Sequence, residues 1–117
     1  MIAKSDYYAL NRIAAHVFDV AMKSGFHESD ERAGRFAEFI SNIHGEVSEL
    51  WEAYRRGNLF EKCDKPIQLT CLEEELADII IRALDTARTH GIDIANAVQV
   101  KSDYNETRSY KHGGKRA

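Results

Sequence analysis

The apolar residues of this chain recur every three to four positions in successive blocks, and that periodicity leaves little room for anything but packed helices. The longest block covers about 30–56. There Phe36, Phe39, Ile40, Ile43, Val47, Leu50, Trp51 and Tyr54 fall on one side until Gly57-Asn58 stops the pattern. Before it, Tyr7, Leu10, Ala14, Val17, Phe18 and Ala21 mark a first helix over about 5–23, with Ser5 or Asp6 as N-cap and Gly25 as terminator. After it, Thr70 and Glu73 form a capping-box pattern that opens a third helix. This helix carries Leu72, Leu76, Ile79, Ile80, Ala83, Leu84 and Ala87 and ends before Gly91. A shorter fourth helix, from Ile92 or Asp93 to about Arg108, carries Ile94, Val98 and Val100. Residues 59–69 hold the single proline, Pro66, and have no clear period, so they read as a loop. Phe36, Phe39 and Trp51 are expected in the core, and Glu52, Glu73 and Glu74 at the solvent face or in caps.

With 117 residues, one Pro and seven Gly, 44% hydrophobic and 30% charged, the chain fits one all-α domain over 1–117. A four-helix-bundle-like architecture with a modest core follows. A net charge of −3 provides no basic field for a nucleic-acid polymer. The first residues have no apolar leader segment, and no stretch approaches the roughly 20 apolar residues that span a bilayer. A cytoplasmic protein with no membrane partner is therefore expected. Cys63 and Cys71 are too few for a four-ligand zinc site and read as reduced, ordinary thiols. Short helices that also keep a polar cleft open leave apolar surface uncovered on the first two helices. A homo-oligomer, dimer or tetramer, is expected to bury it.

The acids carry the chemistry. Glu46 and Glu49, three apart on one helix, lie at the edge of its apolar sector, with Asn42 lined up just before them. Glu75 and Asp78 repeat the arrangement on the third helix. If these helices pack antiparallel, the two pairs face one another over a cleft. Four carboxylates held close need a cation, and hard oxygen ligands select Mg²⁺, with Mn²⁺ as substitute. Mg²⁺ shares its coordination shell with substrate phosphates, so a phosphate-bearing ligand is implied. On the fourth helix, Lys101, Asn105 and Arg108 share a face suited to clamping phosphate oxygens. Arg82 shares the acidic edge of the third helix, where it can balance a carboxylate or meet a phosphate.

The stretch His44-Gly45-Glu46-Val47-Ser48-Glu49-Leu50, followed by Glu74-Glu75-Leu76-Ala77-Asp78-Ile79-Ile80, resembles the E-x-x-E and E-x-x-D metal signature of MazG-like all-α nucleotide pyrophosphohydrolases. The run from Lys101 to Arg108, with Tyr110-Lys111-His112-Gly113-Gly114-Lys115 after it, is similar to that family's K-x-x-x-N-x-x-R segment and basic glycine tail. The resemblance covers about 42–116. It implies a MazG-type oligomeric architecture and hydrolysis of a nucleoside triphosphate, often a deoxynucleotide or a damaged one, to monophosphate and pyrophosphate, a nucleotide-pool sanitation role. Glu46, Glu49, Glu75 and Asp78 would then be the metal ligands. Glu49, with Glu46 beside it, is the candidate catalytic carboxylate, and Asn42, Lys101, Asn105 and Arg108 are the candidate substrate-binding residues. Two alternatives stand beside this reading: a phosphoribosyl-ATP pyrophosphohydrolase, and a non-catalytic helical interaction module that binds metal for structure.

Overall fold

The computed structural model describes residues 2–25 and 35–108. Within them the chain is all-helical: α1 (Lys4–Lys23), α2 (Phe36–Arg55), α3 (Cys71–Thr89) and α4 (Ile94–Glu106), with no strand among the described residues. The expected start of the second helix near residue 30 and the basic tail beyond Arg108, with Lys111 and Lys115, lie outside them. No described helix is long and apolar enough to cross a membrane.

The caps explain where the helices begin and end. Thr70 accepts from the Glu73 amide, and the Glu73 carboxylate accepts from the Thr70 amide, so the capping box forms as its sequence predicts. Ser5 and Asp6 do not cap α1; both sit inside its first turn, and Ala3 takes the N-cap position without a side-chain bond. Asp93 caps α4 by accepting from the Asn96 amide. It also accepts from Tyr7 Oη at 2.5 Å and from Asn11 Nδ2 at 3.0 Å, while Asn11 Oδ1 accepts from the Ala95 amide. The start of α4 is thereby latched to α1. Gly57 and Gly91 end α2 and α3 at φ +74° and +69°, the left-handed region where a side chain is strained.

α3 packs against α2 on one side and α1 on the other, and α4 lies against α1 and α3 without touching α2. α2 and α3 run antiparallel: Phe36 stacks on His90 at 3.9 Å at one end, and Arg82 reaches Glu46 midway. His90 Nδ1 donates to the Thr86 carbonyl at 2.6 Å, which fixes the ring against both Phe36 and Phe39.

The buried apolar residues among those described are Ala14, Ala87 and Ala95 on three different helices, with Phe39, Leu84 and Cys63. Burying the Phe39 ring contributes about 1.5–3 kcal/mol. Phe36 and Trp51 do not join it. Trp51 is 58% exposed and stacks on Tyr54 of its own helix, because α2 has α3 on one side and nothing among the described residues on the other. Ile40, Val47, Leu76 and Ile80 share this exposure, and on α1 so do Tyr8, Ile13, Val20 and Met22.

The loop at 56–70 is ordered. Cys63 N donates to Leu69 O and Cys71 N to Glu61 O, both at 2.9 Å, around an isolated antiparallel bridge between Lys62 and Thr70. Cys63 is buried and Cys71 half-buried, and both are free thiols.

Candidate metal centre

Antiparallel packing of α2 on α3 brings three of the four expected carboxylates together. Glu46, Glu75 and Asp78 each offer an oxygen within 4.8 Å of the others. Glu49, one turn along α2, is within hydrogen-bonding reach of Glu75. The helical spacing of three residues puts each pair on one edge of its helix, and the shared α2–α3 seam sets the edges opposite each other.

The electrostatics follow from the crowding. Partial burial, then the Glu49 carboxyl, then Glu74 and Asp78 push Glu75 up to about 7. Asp78 is raised by burial and by Glu74 and Glu49, against the lowering pull of Lys65 and Arg82. Glu46 is raised mainly by burial, opposed by the Arg82 hydrogen bond. Arg82 Nε lies 3.1 Å from Glu46 Oε1, so this arginine serves as a counterion inside the site.

Glu75 Oε2 is buried and has no hydrogen-bond partner. An oxygen in that state costs about 1–3 kcal/mol, and a hard cation would satisfy it along with its crowded neighbours. The donor set is all carboxylate oxygen, which suits Mg²⁺ or Mn²⁺. On this observation the residues present fit a divalent cation.

Two cavities adjoin the seam. A cleft of about 610 Å³ opens on the Glu49 and Glu75 side, between the end of α2, residues 58–65 and the start of α3. A slot of about 270 Å³ opens on the Glu46 and Asp78 side, walled by Val17, Val20 and Ala21 of α1 and by Ile81, Arg82 and Asp85 of α3.

The remaining expected residues are placed differently. Asn42 is half-buried one turn before Glu46. Lys101 and Asn105 border a separate hollow of about 430 Å³ on α4, and Lys101 Nζ sits 4.8 Å from the Tyr104 ring centre. Arg108 is exposed beyond the end of α4. α4 touches α3 but not α2, and Lys101, Asn105 and Arg108 line neither of the two cavities that adjoin the carboxylates.

Some contributors had no readable signal. Glu74 is not solvent-facing: it is 7% exposed and ion-paired to Lys65 of the loop. The loop has no periodicity that would predict that partner. Asp85, buried and bordering the slot, was findable: it follows Asp78 by seven residues, two helical turns on the same face.

Compared with protein-family models, curated proteins and solved structures, the chain gives no match.

Proposed function

We propose that this chain is a cytoplasmic Mg²⁺-dependent nucleoside triphosphate pyrophosphohydrolase of the MazG-like kind, acting on a deoxynucleoside or non-canonical nucleoside triphosphate. The observation that carries the reading is the meeting of two helical carboxylate pairs around a buried, unpartnered Glu75 oxygen. Glu46, Glu49, Glu75 and Asp78 would hold the ion. Bound there, Mg²⁺ would neutralise phosphate oxygens and lower the pKa of an attacking water.

The chain's own residues have distinct parts. Arg82 holds Glu46 in place through its 3.1 Å contact. Glu49 borders the open cleft and takes the proton of the water. The water oxygen bonds to the α-phosphorus, the bond from that phosphorus to the α,β-bridging oxygen breaks, and the bridging oxygen leaves on pyrophosphate. The exposed apolar faces of α2 and α1, and the separation of Lys101, Asn105 and Arg108 from the seam, support a homo-oligomer, dimer or tetramer, in which a second copy supplies that face.

The test is product analysis on a panel of canonical and modified NTPs and dNTPs plus phosphoribosyl-ATP, with Mg²⁺ and with EDTA. Metal-dependent release of monophosphate and pyrophosphate is expected. Orthophosphate alone, or no turnover while Mg²⁺ still binds, would overturn the reading.

A further inference from the structure

We infer, resting on the reading just given, that the pyrophosphate end of the substrate lies in the cleft between the last turn of α2 and residues 58–65, held by Arg56 and Lys62.

The carboxylate seam has two unlike ends. Glu46 and Asp78 border the slot walled by Val17, Val20 and Ala21, an apolar surface suited to a ring system. Glu49 and Glu75 border the larger cleft, which Arg56, Lys62 and Lys65 also line. A nucleoside triphosphate is two-ended in the same sense, with a flat, partly apolar base at one end and a polyanion at the other. Cleavage at the α-phosphorus puts that atom at the carboxylates, so the leaving phosphates extend toward one end or the other. Among the described residues the cation lining the slot is Arg82, already engaged with Glu46.

The cleft cations are not equivalent. Lys65 is committed to Asp64 at 3.0 Å and to Glu74. Arg56 makes one long contact, 3.9 Å to Glu52, and its side chain is 73% exposed. Lys62 Nζ donates to the carbonyls of Lys65 at 3.0 Å and Cys63 at 3.5 Å, and no carboxylate among the described residues lies within 4.0 Å of it. Carbonyls position an ammonium without cancelling its charge. The paired amides of Cys63 and Cys71 hold the Lys62 backbone against the start of α3, so the charge is presented from a fixed support.

The cleft also sets a condition on its ligand. Among the described residues six carboxylates line it (Glu49, Glu52, Glu61, Asp64, Glu74 and Glu75) against three cations. A bare polyphosphate is repelled there, and only one that arrives with divalent cations is accepted.

Calorimetric titration of the full chain with inorganic pyrophosphate, in MgCl₂ and in EDTA, tests this. Binding in MgCl₂ and none in EDTA is expected. Arg56→Ala and Lys62→Ala should each weaken pyrophosphate binding about tenfold, Lys62→Arg should restore most of it, and the affinity for the nucleoside monophosphate product should stay within twofold. Equal affinity in EDTA, unchanged pyrophosphate affinity in both alanine variants, or parallel loss of monophosphate affinity would overturn the assignment. The two readings fail separately. Nucleotide turnover that ignores Arg56 and Lys62 sinks the cleft assignment alone. Lys62-dependent binding of magnesium pyrophosphate without turnover of any nucleotide sinks the reaction and leaves the phosphate cleft standing.

Discussion

Arg82 of α3 donates from Nε to Glu46 Oε1 of α2 at 3.1 Å, a cation set among mutually repelling carboxylates. Its side chain is 30% exposed and that of Glu46 12%, so solvent screens the pair only in part. Arg82→Leu is expected to cost about 1–3 kcal/mol of stability in EDTA, because Glu46 loses its donor while Asp78 and Glu49 remain close. Mg²⁺ should recover more stability in the variant than in the parent chain. Urea unfolding of both proteins with and without Mg²⁺ checks this; equal Mg²⁺ gains would argue against a shared site.

Glu75 sets a pH dependence. Folded, it keeps its proton up to about 7, against an ordinary 4.5. Between those values the folded state binds more protons than the unfolded one, so metal-free stability falls as pH rises from about 4.5 to about 7 and levels off above. Glu75→Gln should flatten this slope and leave the metal-free variant more stable than the parent at pH 8. Denaturant midpoints at pH 5 and pH 8 in EDTA decide; an unchanged slope in the variant would assign the proton elsewhere.

Glu49→Gln separates chemistry from architecture. The side chain lies at the cleft edge and is exposed, so the fold should persist with an unchanged helical spectrum. Turnover should fall roughly 10²–10⁴-fold, the usual contribution of a positioned base. Loss of folding in step with loss of activity would mark the carboxylate as structural.

The latch between α1 and α4 gives a ranked prediction. Asp93 accepts from Tyr7, Asn11 and the Asn96 amide, and those hydrogen bonds hold its carboxyl below the usual range. Asp93→Ala should lower the unfolding midpoint more than Tyr7→Phe, which removes one of the three donors. The advantage of the parent over Asp93→Ala should persist at neutral pH and disappear as pH falls through the depressed folded value. Thermal melts of the three proteins at pH 7 and at low pH provide the check.

Trp51 and Ile80, each 58% exposed, lie on the outer sides of α2 and α3. Trp51→Glu and Ile80→Glu should leave the isolated chain folded and shift its size-exclusion mass from a dimer or tetramer toward the monomer. A parent chain that already elutes as a monomer at micromolar concentration would remove the case for a second copy.

How much was legible in the sequence divides along local and non-local lines. Thr70 with Glu73, the ends at Gly57 and Gly91, and the three-residue spacing of Glu46 with Glu49 and Glu75 with Asp78 are local facts, and a helix turns them into geometry by itself. Trp51 sits on an apolar stripe that periodicity assigns to a core. A stripe says only that a face is apolar, and the partner that would cover Trp51 is not among the described elements. Glu74 reads as a solvated acid because Lys65, which pairs with it, comes from an aperiodic loop. Lys101 and Asn105 share a face of α4 as their spacing predicts, whereas Arg108 falls past its last turn, and periodicity does not say which neighbour α4 chooses: it chooses α1 and α3.

Ala14, Ala87 and Ala95, each under 5% exposed, are buried on α1, α3 and α4, three helices that touch one another. Alanine has no side-chain torsion, so this junction has no rotamer with which to absorb an added methyl group. A larger side chain at such a position has to be taken up by movement of a helix. Because α3 is the common member of that junction and of the acidic seam, a single enlargement at Ala14 or Ala87 would act as a wedge, and its effect would be read at carboxylates it never touches.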